Sequence, residues 1–214
     1  MKLKIMALAT VAAAAFAAPA FAATQINGPF TDPAPANHNL LLDFDGSVPF
    51  GWTWAPTAPA VVAAPGIPGV AAAPKGGSGN FGYVTSAPGG PQTVTLNFAA
   101  GLRSVSFLWG SVDGKNQLAV SGTGPNLVIT GINVAAPPNG NQANPDQNRR
   151  VTIFADPGQK IQSLTFSANN VAYEFDNISG MVPEPSTWML MIMGFGLIAS
   201  QLRRRYREGV AAAA

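Results

Sequence analysis

Short runs of alternating apolar residues recur through the middle of this 214-residue chain, and none of them continues with a helical period. In the clearest run, Val105, Phe107 and Trp109 stand two positions apart, and the stretch from Val171 to Phe175 repeats that spacing. Side chains two positions apart share one face of a strand, so each run predicts a strand with a buried face. Glycine, proline and asparagine occupy nearly every gap, as tight turns require. Residues 23–182 are therefore predicted to form an all-β domain, an antiparallel, jelly-roll-like β-sandwich of roughly eight to ten strands.

Two stretches of this domain lack the alternation and are predicted to be surface loops. Residues 55–79 are rich in alanine, proline and glycine and carry a single charged residue, Lys75. Residues 137–148 are polar and rich in asparagine and proline. Such compositions favour extended chain that connects elements without forming one.

Composition and charge exclude several functional classes. With no cysteine in the chain, a disulfide framework, a thiolate metal site and a cysteine nucleophile are ruled out. The hydrophobic fraction of 47% is too high for a wholly disordered chain. The net charge of +2 would suggest a nucleic-acid partner only if the basic residues clustered in the domain. Residues 23–182 instead hold six basic and eight acidic side chains, so no nucleic-acid partner is expected.

The first residues have the three parts of a secretory signal peptide. Lys2 and Lys4 supply a positive start, and residues 5–18 form an uncharged apolar run. The sequence Ala20-Phe21-Ala22 then places small residues at the two positions that signal peptidase recognises. A structural N-terminal helix is the alternative. We expect export, with residues 1–22 removed by signal peptidase after Ala22.

The C-terminal segment combines a Pro-Glu-Pro sequence, an apolar stretch and a cluster of arginines. A helix can begin at Ser186, a favourable N-cap. Continued to Leu202 it would be about 25 Å long, the short limit for crossing a hydrocarbon core of about 30 Å. Tryptophan favours a membrane interface, so Trp188 can lie at one end of the helix. Three arginines favour the cytoplasmic interface at the other end: Arg203, Arg204 and Arg205. An amphipathic core helix and a permanent tail anchor are the alternatives, and composition alone does not exclude the anchor.

This order of elements resembles the PEP-CTERM sorting signal of exported surface proteins in Gram-negative bacteria, in its PEPxxWA-type variety. The resemblance rests on Pro183-Glu184-Pro185, Trp188, the apolar transmembrane helix and the terminal arginines. Met189 stands where that variety often has alanine. The resemblance covers residues 183–207, and a short tail of residues 208–214 follows.

The resemblance implies processing by an exosortase, a membrane enzyme that would cut near Pro-Glu-Pro. The helix would first hold the exported chain in the inner membrane as a transient anchor. The domain would then be displayed at the cell surface or released outside the cell. Two prolines fix φ near about −65° and remove two backbone donors, which keeps the motif extended and separate from the following helix.

No arrangement of residues for enzymatic catalysis is recognisable. His38 is the sole histidine, and it lies in a stretch rich in proline and asparagine. Neither a Gly-x-Ser-x-Gly elbow, a His-Glu-x-x-His sequence nor a phosphate-binding loop occurs. We expect His38 to be a solvated loop residue and the protein not to be an enzyme.

Four of the eight acidic residues in the domain form two pairs near its opposite ends. The members of each pair are two positions apart and would share one strand face: Asp43 with Asp45, and Glu174 with Asp176. In a jelly roll the first and last strands are often neighbours, so the pairs could meet and form a structural calcium site. The alternatives are that Asp43 and Asp176 accept backbone or turn hydrogen bonds, or that the carboxylates form a glycosidase pair, for which nothing else marks a cleft. Apart from calcium, no cofactor is expected.

An aromatic stripe lies early in the domain. Phe50, Trp52 and Trp54 alternate and would share one side of a strand. If exposed, Trp52 and Trp54 are candidate glycan contacts, because aromatic faces suit sugar rings. Burial inside the sandwich is the alternative and the commoner fate of such a stripe.

These features together predict an exported, exosortase-processed, non-enzymatic protein of the cell surface or extracellular matrix, associated with exopolysaccharide and biofilm. A carbohydrate-binding module with a defined glycan ligand is the alternative. The expected partners are signal peptidase, exosortase, the membrane and polysaccharide.

Overall fold

The computed structural model describes residues 24–88, 90–170, 172–182, 191–201 and 203. Several predicted features lie outside these residues: the signal peptide, Pro183-Glu184-Pro185, Trp188, Arg204 and Arg205. The described part of the chain is mostly β-structure, and all of its strand pairs are antiparallel. The prediction of a mostly β, antiparallel domain is confirmed.

The described elements follow one another in this order: β1 (Thr24–Pro29), β2 (Leu40–Leu42), β3 (Trp52–Ala55), β4 (Ala60–Ala63), β5 (Gly66–Ile67), β6 (Ala71–Ala72), β7 (Asn80–Val84), β8 (Thr93–Leu102), β9 (Ser104–Gly110), β10 (Asn116–Gly122), β11 (Leu127–Thr130), the short helix α1 (Gly131–Val134), a 3-10 turn (Pro145–Gln147), β12 (Arg149–Phe154), β13 (Ile161–Ala168) and β14 (Tyr173–Met181). Among the described residues, seven strands form a larger sheet in the order β1-β12-β9-β14-β7-β4, with β2 also paired to β14. Five strands form a smaller sheet in the order β11-β10-β13-β8-β3, and β5 and β6 form a ribbon.

A single hydrophobic cluster takes its residues from both sheets. From the larger sheet, β9 contributes Val105, Phe107 and Trp109, none of which has exposed surface. From the smaller sheet, Leu96 of β8 and Leu118 of β10 belong to the same cluster and are equally buried. The alternation seen in the sequence therefore turns one face of each sheet toward a shared core.

Aromatic rings form the centre of this core and join the two sheets. Trp109 stacks on Tyr173 with ring centroids 4.2 Å apart, and Phe166 stacks on Phe175 at 4.1 Å. Such pairs contribute about 0.5–1.5 kcal/mol each beyond their buried area. Because Phe166 lies on β13 of the smaller sheet and the others lie on β9 and β14, the rings bridge the layers.

The opposite face of the larger sheet is also covered, which simple alternation does not predict. Ser104 and Ser106 lie on that face of β9 and have no exposed surface. The chain that precedes β2, residues 30–39, covers this face and is called the lead-in chain here. His38 of this segment hydrogen-bonds to Ser104, and Arg150 of β12 donates from Nε to one of its main-chain carbonyls at 2.6 Å. A buried polar layer therefore separates the sheet from the lead-in chain.

Residues 55–79 contain three short strands rather than the predicted long loop. β4 pairs as an edge strand with β7, and its side chains alternate between half-buried and exposed. In the same region, Ala71 packs with Phe81 and Tyr83 in a second small cluster. Pro56 and Pro65 stand just outside the strands, where a missing N–H costs no ladder hydrogen bond. Composition pointed to a loop because strands this short carry too little alternation to be recognised.

The C-terminal described residues are helical over 191–201, inside the predicted membrane helix. Arg203 is also helical and is exposed. Within the residues described, no helix has both the length and the apolar character needed to cross a membrane.

Candidate functional site

Two acidic side chains lie on the outer face of β14, near the centre of the larger sheet. Glu174 is opposite Gly110 of β9 and Tyr83 of β7, and Asp176 is opposite Leu108. Only 2% of the surface of Glu174 and 1% of that of Asp176 is exposed. Acidic residues are almost never this buried without a compensating partner, so the surroundings of each define what this region can do.

The carboxyl group of Glu174 has one hydrogen-bonded oxygen and one without a partner. Its Oε1 accepts the backbone N–H of Ala72 at 3.1 Å, whereas Oε2 has no hydrogen-bond partner in the described part of the chain. Burial raises the pKa of Glu174 to about 8; the Ala72 N–H opposes this rise and the negative charge of Asp113 adds to it. At neutral pH the carboxyl group is therefore mostly protonated.

Asp176 lies two residues further along β14 and has different neighbours. Its Oδ1 accepts the backbone N–H of Asn177 at 2.7 Å. Burial, aided by the negative charges of Asp43 and Asp45, raises the pKa of Asp176 to about 7, whereas the Asn177 N–H and the charge of Arg150 lower it. The structure thus brings one member of the second acidic pair close to the first pair, and leaves Glu174 with other partners.

The closeness of Asp176 to Asp43 and Asp45 follows from strand pairing, because β2 runs antiparallel to β14. Asp43 and Asp45 come directly after β2 and accept hydrogen bonds from the main chain. Asp43 Oδ1 accepts the N–H of Asp45 at 3.2 Å, and Asp45 Oδ1 accepts the N–H of Asn80 at 2.8 Å. Asp43, like Asp176, therefore accepts a main-chain hydrogen bond, as the alternative to a calcium site predicts.

A calcium site made of both pairs receives no support from this geometry. Within the described residues, no group of three or more histidine, aspartate or glutamate side chains is arranged to hold a metal ion. The calcium assignment stays a prediction for its four residues: Asp43, Asp45, Glu174 and Asp176.

His38 is not a solvated loop residue, contrary to the expectation from sequence. Its half-buried ring lies between two hydroxyl groups, with Nδ1 2.9 Å from Ser179 Oγ and Nε2 2.7 Å from Ser104 Oγ. Burial lowers the pKa of His38; a hydrogen bond at Ser179 raises it and the charge of Arg150 lowers it. Sequence reasoning missed these contacts because the serines belong to β14 and β9, 141 and 66 residues away.

The tryptophans of the aromatic stripe are packed into the protein. Trp52 is 5% exposed and packs edge-on against Phe98, with ring centroids 4.9 Å apart. Trp54 is half-buried, with its ring centroid 6.2 Å from that of Phe175. Phe50 precedes β3 and is fully exposed. For Trp52 the structure shows the burial alternative, and a glycan contact at Trp54 stays a prediction.

A polar cavity of about 620 Å³ opens beside Glu174. Asp113, from the turn after β9, and Asn139, from the loop at residues 137–148, contribute to its lining. Asn170, from the turn after β13, lies on a further side. This cavity was not predictable from the sequence, because its walls come from separate segments that only the fold brings together.

The loop at residues 137–148 is held over the cavity by two buried side chains. Gln147 Oε1 accepts the N–H of Asn139 at 3.0 Å, and Gln147 Nε2 donates to the Pro137 carbonyl at the same distance. Asn148 donates from Nδ2 to two further carbonyls of the loop. The predicted loop is therefore ordered by its own amides, which position Asn139 at the cavity.

The last strand ends at the beginning of the C-terminal motif. β14 ends at Met181, and the half-buried Val182 packs against the core. Residues 182–205 match the PEP-CTERM protein-sorting motif. Neither a curated protein nor a solved structure matches the chain. The only described residues of the motif that follow Val182 are 191–201 and Arg203.

Proposed function

We propose that this chain, a PEP-CTERM motif-containing protein and hence an exosortase-dependent exported surface protein, is a non-enzymatic component of an exopolysaccharide-rich matrix or biofilm. Residues 1–22 direct export and are removed by signal peptidase. The C-terminal segment then holds the protein in the inner membrane until exosortase cuts near Pro183-Glu184-Pro185. The single observation that carries this proposal is the sorting motif at residues 182–205.

The position of the motif supports its role as a removable segment. β14 lies between β9 and β7 in the larger sheet and ends at Met181. A cut at Pro183-Glu184-Pro185 would therefore leave all the described strands in the released part. Pairing of β2 with β14, from opposite ends of the domain, also fits the jelly-roll-like sandwich that we assign to it.

The environment of His38 supports the absence of enzymatic activity. Each ring nitrogen lies against a serine hydroxyl, and both serines, Ser104 and Ser179, are buried, so a substrate would not reach either pair. The Ser104 hydroxyl is fully buried and would not reach a substrate as a nucleophile. A structural role for these three residues accounts for their contacts without invoking chemistry.

The processing step is tested by the mass of the mature protein. The full chain is expressed in a host with an exosortase, and protein recovered from the surface or medium is analysed by intact mass spectrometry. We expect an N-terminus at Ala23 and a C-terminus near Pro183-Glu184-Pro185, without the terminal arginines. Recovery of surface protein that still carries Arg203, Arg204 and Arg205 would contradict the proposal.

A matched pair of variants separates sorting from folding. Glu184→Ala alters the motif, whereas Glu208→Ala alters the tail beyond it. The first should accumulate in the inner-membrane fraction with its tail intact, and the second should be processed like the parent. Equal processing of both would show that the motif is not what the enzyme reads.

A further inference from the structure

The polar cavity beside Glu174 combines a buried carboxyl group with a second carboxylate and several neutral oxygen atoms. We propose that it binds a divalent cation, with Ca²⁺ as the best fit, through Glu174 and Asp113. This assignment is independent of how the protein is exported. It differs from the acidic pairs seen in the sequence, because Asp113 replaces Asp43, Asp45 and Asp176 as the partner of Glu174.

The first argument is the unpartnered oxygen of Glu174. The side chain lines the cavity with only 2% of its surface exposed. Its Oε1 is occupied by the N–H of Ala72, which leaves Oε2 without a partner among the described residues. Buried carboxyl oxygens are normally hydrogen-bonded or bound to a metal, so Oε2 is the atom that a ligand would satisfy.

The second argument is the orientation of Asp113. Its Oδ1 accepts the backbone N–H groups of Lys115 at 2.7 Å and Asn116 at 3.0 Å. A β-bridge to Asn139 holds the main chain of Asp113 in place. With Oδ1 engaged in this way, Oδ2 remains for a ligand in the cavity that Asp113 lines.

The remaining donors suit a hard cation. Ca²⁺ takes about six to eight oxygen ligands from carboxylates, amide and main-chain carbonyls and water. Besides the two carboxylates, the cavity is lined by Ser111, Asn139 and Asn170, which carry hydroxyl and amide oxygens. None of the described residues that line it is aromatic, so they offer no stacking surface for a sugar ring.

The cavity is also shaped in advance. Ser111 has a φ of 46°, a left-handed conformation that a non-glycine residue rarely adopts. It is 6% exposed and lies between β9 and Asp113, so its conformation sets the direction of the turn that carries Asp113. Gln147 holds Asn139 from the opposite side. Strained and pinned backbone of this kind is typical of ligand sites.

One lining residue carries a positive charge, and its removal tests whether the bound ligand is a cation or an anion. Lys115 is exposed and lies at the edge of the cavity, where its positive charge would repel a bound cation. Removing that charge should strengthen cation binding. A ligand that is anionic would respond in the opposite direction.

The experiment is a calorimetric titration of the purified full chain, stripped with EDTA, with CaCl₂. We expect saturable binding of one ion, with a Kd of about 10⁻⁴ to 10⁻³ M, the range of extracellular calcium modules. Glu174→Gln and Asp113→Asn should each weaken binding about tenfold or more, since Asp113→Asn removes a charged ligand and Glu174→Gln removes a carboxyl group that becomes one when Ca²⁺ displaces its proton. Lys115→Met should tighten it.

Matched controls locate the site. Asp146→Asn removes an exposed carboxylate outside the cavity and should leave the Kd unchanged. Asp43→Asn with Asp45→Asn tests the acidic pair near Asp176 and should also leave it unchanged. If Glu174→Gln does not fold, as judged by circular dichroism, Asp113→Asn and Lys115→Met decide the outcome.

Three results would overturn the proposal. The first is that millimolar Ca²⁺ produces no heat of binding in the titration and no rise in the thermal unfolding temperature. The second is binding that persists unchanged in both Glu174→Gln and Asp113→Asn. The third is loss of binding in the Asp43 and Asp45 variant alone, which would place the ion beside Asp176.

Discussion

The His38 ring nitrogen Nε2 lies 2.7 Å from the hydroxyl oxygen of Ser104, a residue 66 positions further along the chain. Through its other nitrogen, the same ring reaches Ser179 on β14. One side chain therefore attaches the lead-in chain, residues 30–39, to two neighbouring strands of the larger sheet. The attachment is buried and polar, so its strength depends on both hydrogen bonding and charge.

Replacing His38 by alanine removes both hydrogen bonds; the buried Ser104 hydroxyl loses its partner, and the Ser179 hydroxyl keeps only its bond to the Ser106 carbonyl at 3.4 Å. We expect the free energy of unfolding to fall by about 1–3 kcal/mol. Urea denaturation at pH 7.5 measures the change. Gln162→Ala, on an exposed position of β13, serves as the control and should change stability by less than about 0.5 kcal/mol. An equal effect of both changes would show that the buried attachment contributes nothing.

The same histidine should make the protein sensitive to mild acid. The pKa of His38 is lowered in the folded state, mainly by burial. Its contribution is therefore present above its unfolded pKa of about 6.5 and is lost as the pH falls below that value. Between pH 7.5 and pH 5, the free energy of unfolding should fall less in His38→Gln than in the parent. A steeper loss of stability in the variant would contradict the conclusion that the His38 ring is neutral in the folded protein.

Asp176 should act in the opposite direction. Its pKa is raised from 3.8 to about 7, mainly by burial. Its contribution to the free energy of unfolding is complete below its pKa in the unfolded chain and is lost as the pH rises through its pKa in the folded protein. In the parent, Asp176 lowers the free energy of unfolding as the pH rises from about 4 to about 7, and Asp176→Asn should remove this part of the decline. Asp146→Asn, an exposed aspartate, should retain the pH profile of the parent.

Trp52 and Phe50, two neighbours in the aromatic stripe, should differ sharply in their effect on stability. Trp52→Ala empties a buried position next to Phe98 and should cost about 3–5 kcal/mol. Phe50→Ala alters a fully exposed ring and should stay within about 0.5 kcal/mol of the parent. Thermal and urea denaturation measure both. Comparable values for the two variants would mean that Trp52 is not part of the core.

Gly131 should tolerate no side chain, in contrast to Gly114. A Cβ at Gly131 would lie 1.7 Å from the Asp113 carbonyl oxygen, whereas one at Gly114 would approach nothing closer than Pro138 at 3.8 Å. Gly131→Ala must therefore displace the turn that carries Asp113, with a loss of stability of about 1–3 kcal/mol. Gly114→Ala should be close to neutral by the same denaturation assay. If Gly131→Ala left stability unchanged, the turn that carries Asp113 would be able to move at no cost in free energy.

Much of the sheet structure was predictable because it depends on neighbouring residues. The stretches around Val105 to Trp109 and Tyr173 to Phe175 became β9 and β14, with the expected faces in the core. β4 to β6 were missed because they are two to four residues long and lie in a region whose proline and alanine content favours a loop. Of the two acidic pairs, only Asp176 lies near Asp43 and Asp45; Glu174 has different neighbours, Ala72 and Asp113, because the residues around each come from different loops.

The sequence by itself determined the elements that contiguous residues encode: the alternating strands, the turns and the sorting motif that residues 182–205 match. Only the tertiary structure decided the environment of particular side chains. It placed His38 against Ser104 and Ser179, packed Trp52 inward, and set Glu174 beside Asp113 at a cavity. The physical reason is that burial, pKa and unsatisfied hydrogen bonds depend on which distant segments meet. That meeting is settled by the packing of two sheets and their loops rather than by local pattern.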